Sequence, residues 1–416
     1  MCGFIVSRSL DREDRFVRRR GPDLERTLEV GDYYFTHFLL SITGELTPQP
    51  FVEGNVVCVF NGEIYNQEFE RSDGEVLIPL YRRHGVDFAA RLDGEFAIAL
   101  FDFGAGIAVF ATDPIGTKPL WRRGTEVASY RSPLGDEAVR VGPNQRIVVD
   151  LATGAEDVAT LRPFDFDHQE VDTYDRWIAA FETAVATRAR DGSFLCLSAG
   201  YDSGAIDAIL RRLGTDYQRY SIEGNENLDV LRQRNPDGVV LRMDEATRRE
   251  MRELVEAHTE PYDYRITWRQ QWCREPMLKD QAVYGLAWIC SLASAAGLPV
   301  CYSGQGADEI LTDYCKWDWA TEIGGRFPDK LFKWRNFDSD RQRAYLTKEE
   351  YVAGTFGIET RYPFLDFQVI QEFLWLTPEL KNRRYKAPLH ELLERYDYPF
   401  EPDHKQGFEI ETRLSA

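Results

Sequence analysis

The hydrophobic pattern of this 416-residue chain changes period once, and that change bounds what it can fold into. Early in the chain, apolar residues come in short runs, Tyr33–Ile42, Val56–Phe60, Phe96–Phe101 and Ile107–Ala111, with turns such as Asn61-Gly62 between them. Glu75–His84 reads as a helix. Short strands with few helices predict a strand-rich α+β layout. From Tyr174 onward the order becomes helix Trp177–Arg188, strand Phe194–Leu197, helix Ala205–Leu213, strand Tyr217–Ile222, helix Gln281–Ala296 and strand Val300–Tyr302. Strands alternating with helices across small-residue turns predict a parallel α/β sheet. Gly154, Pro163 and several acids interrupt the pattern over Thr153–Asp167, so a junction is expected there and a domain boundary near 155–172.

Composition removes several function classes. Hydrophobic residues make up 43% and aromatics 13%, enough for two packed cores. A net charge of −19 opposes general binding to nucleic-acid backbones and to anionic membranes. Only nine of the 50 basic residues are lysine; an acidic, lysine-poor surface suits high salt, and drift in base composition produces it equally well. Seven cysteines without a CxxC pair, and six histidines without zinc-ligand spacing, fit a reducing, cytoplasmic setting. No charged-then-apolar signal segment is read at the start. The uncharged run Ala282–Tyr302 is long enough to span a bilayer, but Ser291, Ser294, Gly297 and Pro299 divide it into a buried helix, a turn and a strand.

Two constellations carry chemistry. Cys2 lies one residue from the start of the chain, so removal of Met1 leaves a thiol beside its own α-amine. That amine has a reference pKa of about 7.7–8 and serves as a base for acyl transfer. Further on, Ser198-Ala199-Gly200-Tyr201-Asp202-Ser203-Gly204 joins a predicted strand to a predicted helix. Small residues there let N–H groups approach an anion at a helix N-terminus. Asp202 repels phosphate, so a bridging Mg2+ is implied; a helix turn capped by serines is the plain alternative. A second such turn, Ser303-Gly304-Gln305-Gly306-Ala307-Asp308-Glu309, follows Val300–Tyr302. Ligands of parallel sheets gather beyond the strands' carboxyl ends, so both turns are expected to face one site, with Asp202 and Asp308 sharing the Mg2+ of a triphosphate.

Together with Arg20-Gly21-Pro22-Asp23, Phe60-Asn61-Gly62-Glu63-Ile64-Tyr65-Asn66, Leu92-Asp93-Gly94-Glu95-Phe96-Ala97, Asp113-Pro114-Ile115-Gly116 and Tyr362-Pro363-Phe364-Leu365-Asp366, these segments resemble the glutamine-dependent asparagine synthetase family. The resemblance implies an N-terminal α+β Ntn-hydrolase sandwich (αββα), a class II glutaminase, over residues 1–160. It implies a C-terminal α/β parallel-sheet ATP-pyrophosphatase domain, adenine nucleotide alpha hydrolase-like, over residues 170–416. By the same resemblance Cys2 attacks the glutamine amide, Asn61 and the Gly62 N–H form the oxyanion hole, and Glu63 and Asp73 hold the substrate α-amine. Ser198, Gly200, Asp202, Ser203, Ser303 and Gly304 line the ATP site, Asp202 and Asp308 bind Mg2+, and Lys386 neutralises charge at the α-phosphate. The implied reaction adenylates a carboxylate, by default aspartate, and channels ammonia to it. The implied partners are glutamine, a small carboxylate and ATP, with neither nucleic acid nor membrane; a homodimer is among the expected assemblies.

Four departures from the family pattern bear on the substrate. Leu39, in His37-Phe38-Leu39-Leu40-Ser41, stands where an arginine pairs with the glutamine α-carboxylate, and Arg71 is a candidate replacement. Gln305 replaces a glutamate and accepts no proton at neutral pH, so either the acceptor differs from aspartate or Glu359 takes the basic role. Ala199 and Gly204 replace a glycine and a serine of the phosphate loop; the loop survives if Ala199 avoids positive φ. The chain ends about 30 residues after Lys386, short for the family, although Lys405-Gln406-Gly407-Phe408 still resembles its terminal element. The alternatives are amidation of a sugar acid, modified nucleotide or natural-product intermediate, β-lactam-synthetase-like amide closure, or a degenerate binding module.

Overall fold

The structure is a computed structural model describing residues 2–224, 226–268, 271–314 and 321–402. Met1, Cys315 and the segment Lys405–Phe408 lie outside the described residues. The chain divides into two compact units. The first runs to Pro163 and takes in His258–Glu260 and Ala353–Glu359; the second comprises the rest from Phe164.

Two six-stranded sheets build the first unit. In spatial order one contains Val139–Arg140, Trp121–Arg123, Glu126–Ala128, Gly3–Ser7, Tyr33–Leu39 and Leu24–Val30. The other contains Glu156–Thr160, Gln145–Asp150, Ile107–Thr112, Gly94–Asp102, Val56–Ile64 and Phe51–Glu53. Side chains of a strand alternate between faces, and here both faces of the second sheet are apolar. Val57, Val59, Ala97, Ala99 and Phe101 pack with Phe4, Val6 and Phe35 of the first sheet. Val56, Cys58, Phe60, Ile98 and Leu100 face the opposite way, onto Leu77, Ile78 and Tyr81 of helix Leu77–His84. That double burial explains why these strands read as near-continuous apolar runs.

Two sequence expectations are corrected here. Asn61-Gly62 is not a turn: both lie inside strand Val56–Ile64, with Asn61 opposite Ala97 and Gly62 opposite Phe96. Gly62 has φ of +140°, and a Cβ there would lie 1.8 Å from the Glu95 carbonyl oxygen. The glycine marks a close backbone approach rather than a chain reversal. The interrupted stretch Thr153–Asp167 is also not wholly connector, because Glu156–Thr160 forms the edge strand of the second sheet. Its solvent-facing acids hide the alternation that identifies a strand.

The second unit is built on a five-stranded sheet in the order Val239–Leu241, Tyr217–Ile222, Ser193–Cys196, Val300–Tyr302, Glu359–Arg361. Ser193–Cys196 pairs in parallel with both neighbours. From it the chain builds outward to one side through Tyr217–Ile222 and Val239–Leu241, and later to the other through Val300–Tyr302. The reversal in direction leaves a crevice at the carboxyl ends of Ser193–Cys196 and Val300–Tyr302, where open α/β sheets bind ligands. Ala282–Tyr302 is a helix, Ala282–Ala295, a turn with Gly297 at positive φ, and the strand Val300–Tyr302. Among the described residues no helix is long and apolar enough to cross a membrane.

Candidate active sites

In the first unit the strand Gly3–Ser7 is central to its sheet, and this places Cys2 at the sheet's end. The Cys2 N–H donates to Asn61 Oδ1 at 2.9 Å, and Cys2 Sγ lies 3.8 Å from the Leu40 carbonyl. Beneath it the fully buried Arg20 donates from Nε to the Cys2 carbonyl at 2.9 Å and from Nη1 to the Tyr130 hydroxyl at 2.9 Å. Arg20 belongs to a motif quoted above, yet its support of the Cys2 backbone appears only in three dimensions.

The thiol is buried, and burial pushes its pKa up to about 11, with the Leu40 carbonyl and nearby charges as smaller influences. It is therefore protonated near neutral pH and needs a base to react. Asn61 is fully buried, and its Nδ2 has no partner among the described residues. An orphaned donor costs on the order of 1–3 kcal/mol unless something accepts from it. Here it sits on the side chain already holding Cys2, which suits stabilisation of a developing oxyanion.

Glu63 and Asp73 are both buried acids. Glu63 Oε2 accepts from Thr43 Oγ1 at 2.6 Å, and Asp73 Oδ2 accepts from the Ile64 N–H at 2.9 Å. Burial raises the Asp73 carboxyl to about 6, against the lowering effect of the Ile64 N–H. Its charge and that of buried Glu359 both bear on Cys2. Arg71 is 62% exposed, with its guanidinium paired to Glu75 at 2.5 Å, the arrangement of a surface loop arginine. Leu39 is buried at the end of strand Tyr33–Leu39, and its carbonyl accepts from the Asp23 N–H at 3.0 Å.

In the second unit the two small-residue turns meet at the crevice. Ser198 Oγ and Ser203 Oγ are 2.9 Å apart, and the Gly200 N–H donates to Ser198 Oγ at 3.1 Å. The turn opens helix Tyr201–Leu213, whose first turn carries Asp202 and Ser203. Ala199 keeps φ outside the left-handed region, so replacement of the family glycine leaves the loop unstrained. Gly204 has its own cause. A Cβ there would lie 2.6 Å from Arg234 Nη1, and Arg234 donates to the Ser198 and Gly200 carbonyls at 2.8 and 2.6 Å. A buried arginine thus grips this turn from behind, in space that a serine at 204 would fill. Nothing local in the sequence announces Arg234.

Gly304 comes so near the first turn that a Cβ would lie 2.8 Å from that of Asp202. Lys386 Nζ lies 2.5 and 2.7 Å from the Asp202 carboxylate oxygens and 2.9 Å from Asp308 Oδ1. Residues separated by 184 positions in sequence therefore form one buried cluster. Lys386 adopts φ of +45° just before helix Ala387–Arg395, a conformation that costs a side chain about 1–3 kcal/mol. Burial alone lowers an ammonium's pKa; Asp202 and Asp308 outweigh it and hold Lys386 well above the ordinary lysine range.

A cavity of about 280 Å³ opens beside this cluster, lined by Ser198, Ser203, Asp202, Ser303, Asp308 and Lys386 among others. Gln305, Glu309, Tyr314 and Glu349 line it as well. Gln305 Nε2 donates to Glu309 Oε1 at 2.7 Å, and Glu309 also receives the Gly306 N–H and the Tyr314 hydroxyl. Glu359 is buried, belongs to the first unit, and is not among the residues lining this cavity. Its charge is felt at Cys2 and Asp73. No group of three or more metal-type ligands is found among the described residues. Two carboxylates converging on one cation do suit Mg2+, which commonly takes one or two carboxylates and completes its shell with phosphate and water.

Residues 1–134 match the family model described as a glutamine amidotransferase domain, and residues 177–336 match that described as asparagine synthase. One chain thus joins an amidotransferase domain to a synthetase domain. The chain is 25% identical to glutamine-hydrolyzing asparagine synthetase 1 of Arabidopsis thaliana, over 94% of its own length and 72% of that protein's. It is 27% identical to asparagine synthetase 2 of the same plant, over 97% and 77%. It is 26% identical to the nodule asparagine synthetase of Pisum sativum, over 94% and 72%. The chain belongs to the glutamine-dependent asparagine synthetase family.

Proposed function

We propose that the protein is an ATP- and glutamine-dependent amidotransferase that converts a carboxylate, with aspartate as the default, into its amide, releasing AMP and pyrophosphate. The observation that carries this reading is the cluster of Lys386, Asp202 and Asp308 at the mouths of two phosphate-type turns. On this reading the first domain, residues 1–160, is an Ntn-hydrolase sandwich and the second, residues 170–416, an ATP-pyrophosphatase; the enzyme works in the cytoplasm.

Cys2 attacks the glutamine side-chain amide. Asn61 Nδ2 and the Gly62 N–H receive the developing oxyanion, and Glu63 and Asp73 take the α-amine. In the second domain Ser198, Gly200, Ser203, Ser303 and Gly304 hold the phosphates by N–H and hydroxyl donors. Mg2+ fits Asp202 and Asp308; when bound it supplies charge neutralisation on the triphosphate. Lys386 brings a permanent positive charge to the same place and stabilises the departing pyrophosphate.

A second reading rests on Gln305. Its amide is held by Glu309 and offers no base, which favours an acceptor other than aspartate. One experiment separates the two. Pyrophosphate release is measured with Mg-ATP and aspartate, in the presence of glutamine, ammonium or neither, with asparagine and glutamate followed by mass. Asparagine formed from glutamine, lost in Cys2→Ala and restored by ammonium, establishes the first reading. Glutamate without asparagine moves the acceptor to another carboxylate. Silence in all three mixtures, with ATP bound, rejects aspartate as the acceptor and leaves an unusual acceptor needed to switch on both sites, or a degenerate binding module.

A further inference from the structure

The cavity beside Lys386 contains five carboxylates among its described lining residues, and the structure accounts for four of them. Asp202 and Asp308 hold Lys386. Glu226 Oε2 accepts from the Ala199 N–H and so belongs to the phosphate loop. Glu309 is occupied on both oxygens by Gln305, Tyr314 and the Gly306 N–H. Glu349 is different. Its Oε2 accepts from Ser303 Oγ at 2.6 Å, and its Oε1 keeps access to the cavity. The same Ser303 Oγ accepts the Gln305 N–H at 3.0 Å. Glu349 is thus one hydroxyl away from the backbone of the position whose side chain has lost its basicity.

We propose that Glu349, reaching in from helix Asp340–Thr355, accepts the proton of the amide-forming step in place of a base at position 305. This rests on the adenylating reading above. The nitrogen lone pair of ammonia attacks the acyl carbon of the acyl-adenylate. The bond from that carbon to the phosphate oxygen breaks, and AMP leaves with the electron pair. The surplus proton on nitrogen passes to Glu349 Oε1 and then to solvent. Burial, opposed by the Ser303 hydroxyl and by Lys348 and reinforced by Glu309 and Glu350, raises the Glu349 carboxyl to about 7. The buried thiols Cys290 and Cys301 also sense its charge. A base poised near the working pH is the efficient kind. Lys348 itself is engaged by Asp280 at 3.1 Å.

The test compares wild type, Glu349→Gln and Glu349→Asp. Glutamine still accepts from Ser303, so Glu349→Gln removes basicity with little change in shape. Two partial reactions are read with Mg-ATP and aspartate: exchange of labelled pyrophosphate into ATP, and asparagine formation at constant free ammonia across pH 6–9. The expected result is exchange within about threefold of wild type and amide formation reduced about 100- to 10,000-fold in Glu349→Gln. Glu349→Asp recovers part of the rate with a displaced acid limb. Wild-type amide formation in Glu349→Gln, or parallel loss of both reactions, overturns the assignment. If wild type itself shows no aspartate-dependent exchange, the aspartate reading falls, and infrared titration of wild type minus Glu349→Gln decides the residue. A carboxyl signal ionising near pH 7 sustains its role as a base, and ionisation in the ordinary carboxylate range overturns it.

Discussion

Lys386 Nζ donates to both carboxylate oxygens of Asp202, at 2.5 and 2.7 Å, from a backbone held at positive φ. The strained conformation is kept by two ion pairs in a buried crevice, and removing the lysine leaves Asp202 and Asp308 facing each other without their shared cation. Breaking such a buried cluster is costly because uncompensated charges remain. Lys386→Ala is expected to lower pyrophosphate release by at least about 100-fold, as removal of one preorganised charge-stabilising group does elsewhere. Glutamine hydrolysis by the same preparation is the control that the chain is folded. Retention of more than a tenth of the pyrophosphate release contradicts the role given to Lys386.

The buried thiol of Cys2, pushed up to about 11, makes a neighbouring base indispensable. Protein purified with Met1 removed is expected to hydrolyse glutamine, and protein retaining Met1 to do so at least about 100 times more slowly. Intact mass and glutamate release on the two forms check this. Asn61→Ala is expected to lose about 100- to 1,000-fold in kcat, because it removes both the acceptor of the Cys2 N–H and the orphaned donor Nδ2. Equal activity with and without Met1 contradicts the amine's role as base.

Two glycines at positive φ give a paired stability test. A Cβ on Gly85 meets nothing within 4 Å, whereas one on Gly62 lies 1.8 Å from backbone. Gly85→Ala is expected to cost about 1–3 kcal/mol, the conformational penalty alone of a backbone at φ +64° and ψ −151°. Gly62→Ala is expected to exceed about 3 kcal/mol, because the strand Val56–Ile64 must move from Gly94–Asp102. Thermal unfolding of both variants compares them; similar losses contradict the close approach at Gly62.

Glu260 supplies a pH signature within the first unit. Its carboxylate accepts from the Ser132 N–H at 2.9 Å, and burial outweighs that bond to raise the carboxyl from 4.5 to about 7. The folded state therefore holds a proton that the unfolded chain has released between these values. Its contribution to stability is complete below about pH 4.5 and declines as pH rises through about 7. Glu260→Gln keeps the neutral form at every pH. The variant is expected to gain stability relative to wild type as pH rises across that window, read from denaturant midpoints at pH 5 and 8. A constant difference at the two values contradicts the shift.

The sequence by itself determined the local chemistry. Cys2 next to the start of the chain, two small-residue turns each following an apolar strand, and the period change between the sandwich and the parallel sheet are short-range patterns. Each depends on neighbours a few positions apart, so each is legible in one dimension. The helix and strand divided from the uncharged run Ala282–Tyr302 belong to the same class.

Tertiary structure decided what those patterns are attached to. Asn61-Gly62 has the composition of a hairpin turn, and only pairing with Gly94–Asp102 makes it the middle of a strand. Glu156–Thr160, polar because it is an edge, becomes a strand only by pairing with Gln145–Asp150. Arg20 under Cys2 and Arg234 behind the turn that opens helix Tyr201–Leu213 are buried arginines that satisfy backbone carbonyls brought to them by the fold. Glu349 joins the position of Gln305 through the hydroxyl of Ser303, from which it is separated by 46 positions of sequence. Hydrogen bonds and desolvation act through space at about 3 Å, so the charge state and partner of a buried group are properties of the assembled core and not of the segment that carries it.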